Sequence, residues 1–189
     1  MKRSMRHGVV AALLLGASLA ASAQFSGPYA PLNWTTTHQP DATTDTGSVD
    51  TSLAPGSVTL LGSDNGFDLG SQLRFTTTAN AGGTFSFNWA YQSLDDAGKP
   101  AFDPAGYFRN GTTFQLSLND GAVSQSGFQS LAVNPGDVIG FWVGTTDNLG
   151  GPATLTVSNF SAPIPEPGAA VLMALGLVGL AAWRARRSL

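Results

Sequence analysis

Between Gly83 and Tyr91 the chain alternates without a break: Phe85, Phe87, Trp89 and Tyr91 interleave with Thr84, Ser86, Asn88 and Ala90. In an extended chain successive side chains point to opposite faces, so this segment reads as a strand with one aromatic and one polar face. An aromatic row could serve as a sugar-stacking platform, but at strand spacing it belongs first to the core of a layered β-protein. Further short runs follow the same logic: Val58–Gly62, Gln72–Thr78, Tyr107–Arg109, Thr113–Leu118, Gly127–Val133, Val138–Thr145 and Ala153–Phe160. Gly, Asp, Asn and Pro separate them, and no window between Gln24 and Ala162 carries a helical period. Asn110-Gly111 suits a type I′ hairpin turn, because both residues accept positive φ. Pro135-Gly136-Asp137 reads as a second tight turn. Val138 to Val143 is apolar on both faces and suits a central strand. Eight or nine strands at this spacing imply an all-β fold, an antiparallel two-sheet sandwich of jelly-roll or CUB-like kind.

Such a domain must hold itself together by its core alone, since the chain has no cysteine. About 140 residues suffice to bury roughly two-thirds of the unfolded surface, and one domain, 24–162, is expected. Charge is segregated along the chain. Of its nine Lys and Arg, three lie before residue 7 and three after residue 183. Arg74, Lys99 and Arg109 remain in between, against eleven aspartates, a net charge of −8. That surface repels nucleic acid and anionic lipid, which excludes nucleic-acid binding.

The two flanks read as export machinery. Met1 to Ala23 has a basic start (Lys2, Arg3, Arg6), an apolar stretch from Gly8 to Ala20, and the small-x-small ending Ala21-Ser22-Ala23. This is the pattern of a signal peptide cut by signal peptidase, with Ala21 and Ala23 marking the site and Gln24 beginning the mature chain. At the other end, Pro163-Ile164-Pro165-Glu166-Pro167 precedes an uncharged apolar run from Gly168 to Trp183 and then Arg184, Arg186 and Arg187. Sixteen helical residues span ~24 Å, a little short of the ~30 Å hydrocarbon core. Ile164 or snorkelling arginines would close the gap, giving a single transmembrane helix with a basic stop on the cytoplasmic side. Glu166 is the one glutamate of the chain.

Pro165-Glu166-Pro167, the apolar helix and the terminal Arg184-Ala185-Arg186-Arg187 together resemble the PEP-CTERM sorting signal of Gram-negative bacteria. The resemblance implies recognition and cleavage near the tripeptide by an exosortase, in bacteria that often make exopolysaccharide. It also implies an inner-membrane-anchored precursor that ends in the envelope, at the outer surface or outside the cell. The middle of the chain resembles a recurrent domain of exported bacterial proteins. That likeness rests on Gly27-Pro28-Tyr29-Ala30-Pro31 with Asn33-Trp34, on Asp103-Pro104-Ala105-Gly106-Tyr107, and on Gly144-Thr145-Thr146-Asp147-Asn148 with Ser158-Asn159-Phe160. The domain is also similar in length and strand layout to CUB sandwiches, which usually carry disulfides that this chain lacks. The resemblance implies a fold and a compartment, not a reaction.

Little in the exported segment points to catalysis. Its one histidine, His38, sits in the polar stretch Thr35–Thr46, and nucleophilic or zinc chemistry needs more than that. The aspartates leave a polysaccharide hydrolase conceivable, but no local pattern marks a carboxylate pair. Calcium suits them better, because hard cations take loop carboxylates, amides and carbonyls. The candidate ligands are Asp95, Asp96 and Asp103 across a Gly/Pro loop, Asp64 and Asp68 around Asn65-Gly66, and more weakly Asp147-Asn148. The competing reading is that these residues end strands and form Asx turns. The function expected is therefore a non-enzymatic exported envelope or matrix protein, structural, adhesive or exopolysaccharide-associated. A calcium-dependent carbohydrate-binding module is the alternative.

Overall fold

The computed structural model describes residues 22–96, 98–165 and 169–186. Eleven strands form two antiparallel sheets. In chain order they are β1 (Ser22–Ala23), β2 (Thr35–Gln39), β3 (Ser48–Asp50), β4 (Ser57–Leu61), β5 (Ser71–Thr78) and β6 (Gly83–Ser93). They continue as β7 (Ala105–Arg109), β8 (Thr112–Gln115), β9 (Ser124–Val133), β10 (Val138–Thr145) and β11 (Ala153–Pro163). One sheet runs β3-β4-β11-β6-β9, with β1 paired to the end of β11; the other runs β2-β5-β10-β7-β8. Two single 3₁₀ turns, Gly27–Tyr29 and Pro31–Asn33, lie between β1 and β2. Helix α1 (Ala169–Arg186) follows the sandwich.

The aromatic row of β6 faces inward as its alternation demands. Phe85, Phe87 and Tyr91 are buried against Phe141 of β10 and Phe160 of β11. Phe87 meets Phe141 edge-on at 4.9 Å between centroids, and Phe85 meets Phe160 at 5.4 Å. Trp89 is half-buried; its ring lies over Gly127 of β9, where a Cβ would come within 2.9 Å. β10 occupies the centre of its sheet and is buried along seven of its eight residues, as its two-faced apolarity requires. The β7–β8 hairpin turns on Asn110 (φ +48°) and Gly111 (φ +88°), the pair of positive φ values that a type I′ turn needs.

A register shift between Ser158 and Ser161 reverses the phase of β11. Ala153, Leu155 and Val157 face the core before it, and Phe160 and Ala162 face the core after it. Asn159, at φ +47°, absorbs the extra residue. Without this bulge Phe160 would point to solvent.

The structure departs from the sequence reading mainly at the edges. Thr35–Thr46 is not a plain polar stretch: Thr35–Gln39 is edge strand β2, paired through Thr35↔Thr76 to Gln39↔Gln72. Its burial does not alternate, because an edge strand with little covering it gives no periodic signal. Strand β3 is too short to show a period. β8 stops at Gln115 rather than Leu118, because Leu116 and Ser117 both turn their N–H groups to the Ala105 carbonyl.

Candidate functional site

The C-terminal junction is built from both ends of the sandwich. β11 holds the chain in the sheet through Pro163, whose neighbour Ala162 pairs with Ala23. Phe25 stacks on Phe160 at 4.4 Å, and Trp34 stacks on Phe75 and Phe141. The Tyr29 hydroxyl donates to the Pro163 carbonyl at 2.7 Å and accepts from the Asn80 N–H at 2.9 Å. Ile164 still packs on the core, and Pro165 is exposed. Pro165, the first residue of the sorting tripeptide, therefore follows the folded domain with no linker.

Glu166, Pro167 and Arg187 lie outside the described residues, as do Ala21 and the rest of residues 1–21. Ser22 and Ala23, the last two residues of the expected signal peptide, form β1. Arg184 is exposed near the end of α1, and Arg186 closes that helix. The eighteen residues of α1 span ~27 Å. Met173, Leu175, Leu177, Val178 and Leu180 stand exposed along it. Among the described residues no helix is long and apolar enough to cross a membrane.

The aspartate loops divide. Asp95 and Asp103 come together at one end of the sandwich: Ser93 Oγ lies 3.4 Å from Asp103 Oδ2 and accepts the Asp95 N–H at 3.2 Å. Both side chains are buried. Burial pushes the Asp103 carboxyl up to about 7; a Thr145 hydrogen bond opposes this, and the charges of Asp95 and Asp147 reinforce it. The same end raises Tyr91 to about 12, again chiefly through burial, while its hydroxyl donates to the Asp103 carbonyl at 2.9 Å. Asp96 is exposed and contributes its N–H to the Gly150 carbonyl. Asp64 and Asp68 are also exposed, in the 62–70 loop, and do not join this pair. Among the described residues no three His, Cys, Asp or Glu side chains stand together as a metal site.

Two polar groups at the loops carry more than the sequence suggested. Asn148 is fully buried with φ +55°; its amide donates to the Thr44 carbonyl, the Leu69 carbonyl and Ser71 Oγ. Asp45 is also fully buried, accepting the Gly47 N–H, with His38 Nδ1 3.7 Å from its other oxygen. Burial raises the Asp45 carboxyl. The turn signal at Asn148 was legible; the depth of Asp45 within the polar stretch was not.

The outer face of the first sheet is the other notable surface. In register across β4, β11, β6 and β9 stand Thr59, Thr156, Ala90 and Ser126, then Thr154, Gln92 and Ser124. Thr59 and Thr156 share a hydrogen bond at 2.9 Å, and Ser124 bonds to Gln92. Ala90, Gln92, Ser124, Ser126, Thr154 and Thr156 line a shallow recess of about 350 Å³. Beside it, opposite Asn88, Phe128 is 65% exposed. The charged side chain of this face is Asp50, on edge strand β3.

Residues 163–187 match the PEP-CTERM protein-sorting motif. No curated protein matches the chain. Among solved structures, a family 35 carbohydrate binding module from Clostridium thermocellum is 14% identical, with a TM-score of 0.35 over 74% of this chain and 98% of its own. A carbohydrate binding module from Cellvibrio mixtus lichenase 5A is 11% identical, with a TM-score of 0.31 over 74% and 97%. The enzymatically active domain of bacteriophage CBA120 tailspike protein 4 is 11% identical, with a TM-score of 0.39 over 70% of this chain and 19% of its own. At TM-scores this low the likenesses say nothing of what this chain binds. This chain is thus a β-sandwich that carries a PEP-CTERM protein-sorting motif attached directly to its last strand.

Proposed function

We propose that this is a non-enzymatic protein of the Gram-negative envelope or extracellular matrix, associated with exopolysaccharide through the outer face of the β4-β11-β6-β9 sheet. The observation that carries the reading is the chemistry of that face. A solvated sheet face ordinarily mixes hydroxyls with Lys, Glu and Asp. Here ten of the eleven aspartates sit in loops, and apart from Asp50 and the exposed Leu61 at its edge the face offers hydroxyls, amides and the exposed phenyl ring of Phe128. Hydroxyl and amide groups both donate and accept, which matches the hydroxyl arrays of a neutral polysaccharide. An exposed ring supplies flat apolar area beside them. Sorting by exosortase would deliver the face to the polymer.

Affinity electrophoresis of the full chain in detergent, through gels containing neutral or acidic polysaccharides, tests this. Retardation is expected on at least one neutral polymer, falling severalfold in Phe128→Ala and Gln92→Ala. Unchanged mobility on every polymer would overturn the reading. Turnover of any of them, lost on changing one aspartate, would favour a hydrolase instead.

A further inference from the structure

We propose that the end of the sandwich where the 94–103 loop meets the 145–152 loop binds a hard divalent cation of the calcium type, held by the Asp103 and Asp95 carboxylates and completed by neutral oxygens. Asp103 is fully buried, and its Oδ1 has no hydrogen-bond partner. A buried carboxylate is tolerated when positive charge or donors face it. The ion pairs among the described residues leave it out: Arg109 binds Asp137, and Arg74 lies over the Phe108 ring at 5.1 Å. Asp95 and Asp147 are the charges that act on it, and both have the same sign as its own.

Asn148 gives an independent sign. It is also fully buried, and its Oδ1 is likewise without a partner, although its amide nitrogen is richly bonded. Its N–H donates to Thr145 Oγ1 at 3.0 Å, and the Thr145 hydroxyl faces the Asp103 carboxyl and favours its charged form. Thr145 thus stands between the backbone of Asn148 and the Asp103 carboxyl. The loops are tied together around them, Asp96 N–H to the Gly150 carbonyl at 2.7 Å and Leu94 N–H to the Pro152 carbonyl at 3.1 Å. Gly150, at φ +81°, lets the backbone approach Asp95: a Cβ there would lie 2.8 Å from Asp95 Oδ2.

Two carboxylates with hydroxyl, amide and carbonyl oxygens form a donor set for calcium, which accepts six to eight oxygens in loose geometry. Zinc and its neighbours favour imidazole or thiolate, and no such group is among these side chains. A bound cation would offset the repulsion between Asp95 and Asp103 and would lock the two loops. The site lies apart from the sheet face and does not depend on the polysaccharide reading.

Thermal unfolding and calorimetric titration of the full chain in detergent, with calcium chloride, magnesium chloride or EDTA, test this. Calcium should raise the midpoint by several degrees, EDTA should reverse the rise, and binding heat should accompany it. The shift should vanish in Asp103→Asn and in Asp95→Asn, and survive in Asp64→Asn, whose carboxylate is exposed in another loop. Either of the first two variants suffices if the other does not fold. No shift and no heat in the wild-type chain would overturn the assignment. So would a shift that survives both buried variants, or an equal response to magnesium.

Discussion

At the scale of single residues, burial and chemistry disagree most at Asp103. Its carboxyl titrates at about 7 because burial disfavours the charged form, whereas in the unfolded chain it titrates near the usual ~3.9. Between these values the folded state holds a proton that the unfolded state has lost. Stability in EDTA should therefore fall as pH rises from about 4 to about 7, and this group adds no further slope above that. Asp95 and Asp147 supply the neighbouring charge, and Ser93 and Thr145 the facing hydroxyls. Asp103→Asn should flatten the slope and raise the EDTA unfolding midpoint at pH 8, even as it abolishes any response to calcium. Melting curves at pH 5, 6.5 and 8 check this, and an unchanged slope in the variant would show that the titration lies elsewhere. Asp137 behaves in the opposite sense. Hydrogen bonds from Asn110 and Asn134, with Arg109 alongside, hold it below the usual range, so its contribution is present above about pH 4 and is lost on acidification.

At the scale of elements, what the sequence disclosed depended on burial. Strands β5, β6, β10 and β11 each present a buried face, so their residues alternate or run apolar. β2 and β3 lie at sheet edges and leave no such trace. The hairpin at Asn110-Gly111 was legible because backbone geometry limits which residues can occupy it. The proposed cation site was legible in part. Asp-rich loops named Asp95 and Asp103 as candidates, but topology decides that Asp64, Asp68 and Asp96 stay out in solvent. The orphaned oxygen of Asn148 depends on three loops meeting, which no local pattern encodes. The elements also rank by cost. Phe85→Ala removes a fully buried ring that touches Phe87, Phe141 and Phe160, and should lower stability by ~3–5 kcal/mol. Thr37→Ala, exposed on edge strand β2, should change it by no more than ~0.5 kcal/mol. Denaturant unfolding of both variants measures the difference, and similar losses would mean that the core does not centre on β6.

At the scale of the whole molecule, the two termini of the sandwich meet. Tyr29 clamps the Pro163 carbonyl, Phe25 stacks on Phe160, and Ile164 keeps one further side chain on the core. The sorting motif begins at residue 163, the last residue of β11, so the folded domain and the processing signal overlap. An enzyme acting on the folded chain meets free backbone no earlier than Pro165, because the Tyr29 hydroxyl still holds the Pro163 carbonyl and Ile164 still packs on the core. The released protein should therefore end at Pro165 or beyond, and intact-mass spectrometry of the mature form reads its last residue directly. Tyr29→Phe removes both hydrogen bonds of the clamp, at a cost of ~1–3 kcal/mol, and should fray this end without unfolding the core. The variant should then yield some product ending upstream of Pro165, whereas the wild type yields none. If the wild type itself ends before Pro163, the last strand and its Tyr29 clamp must open before the cut.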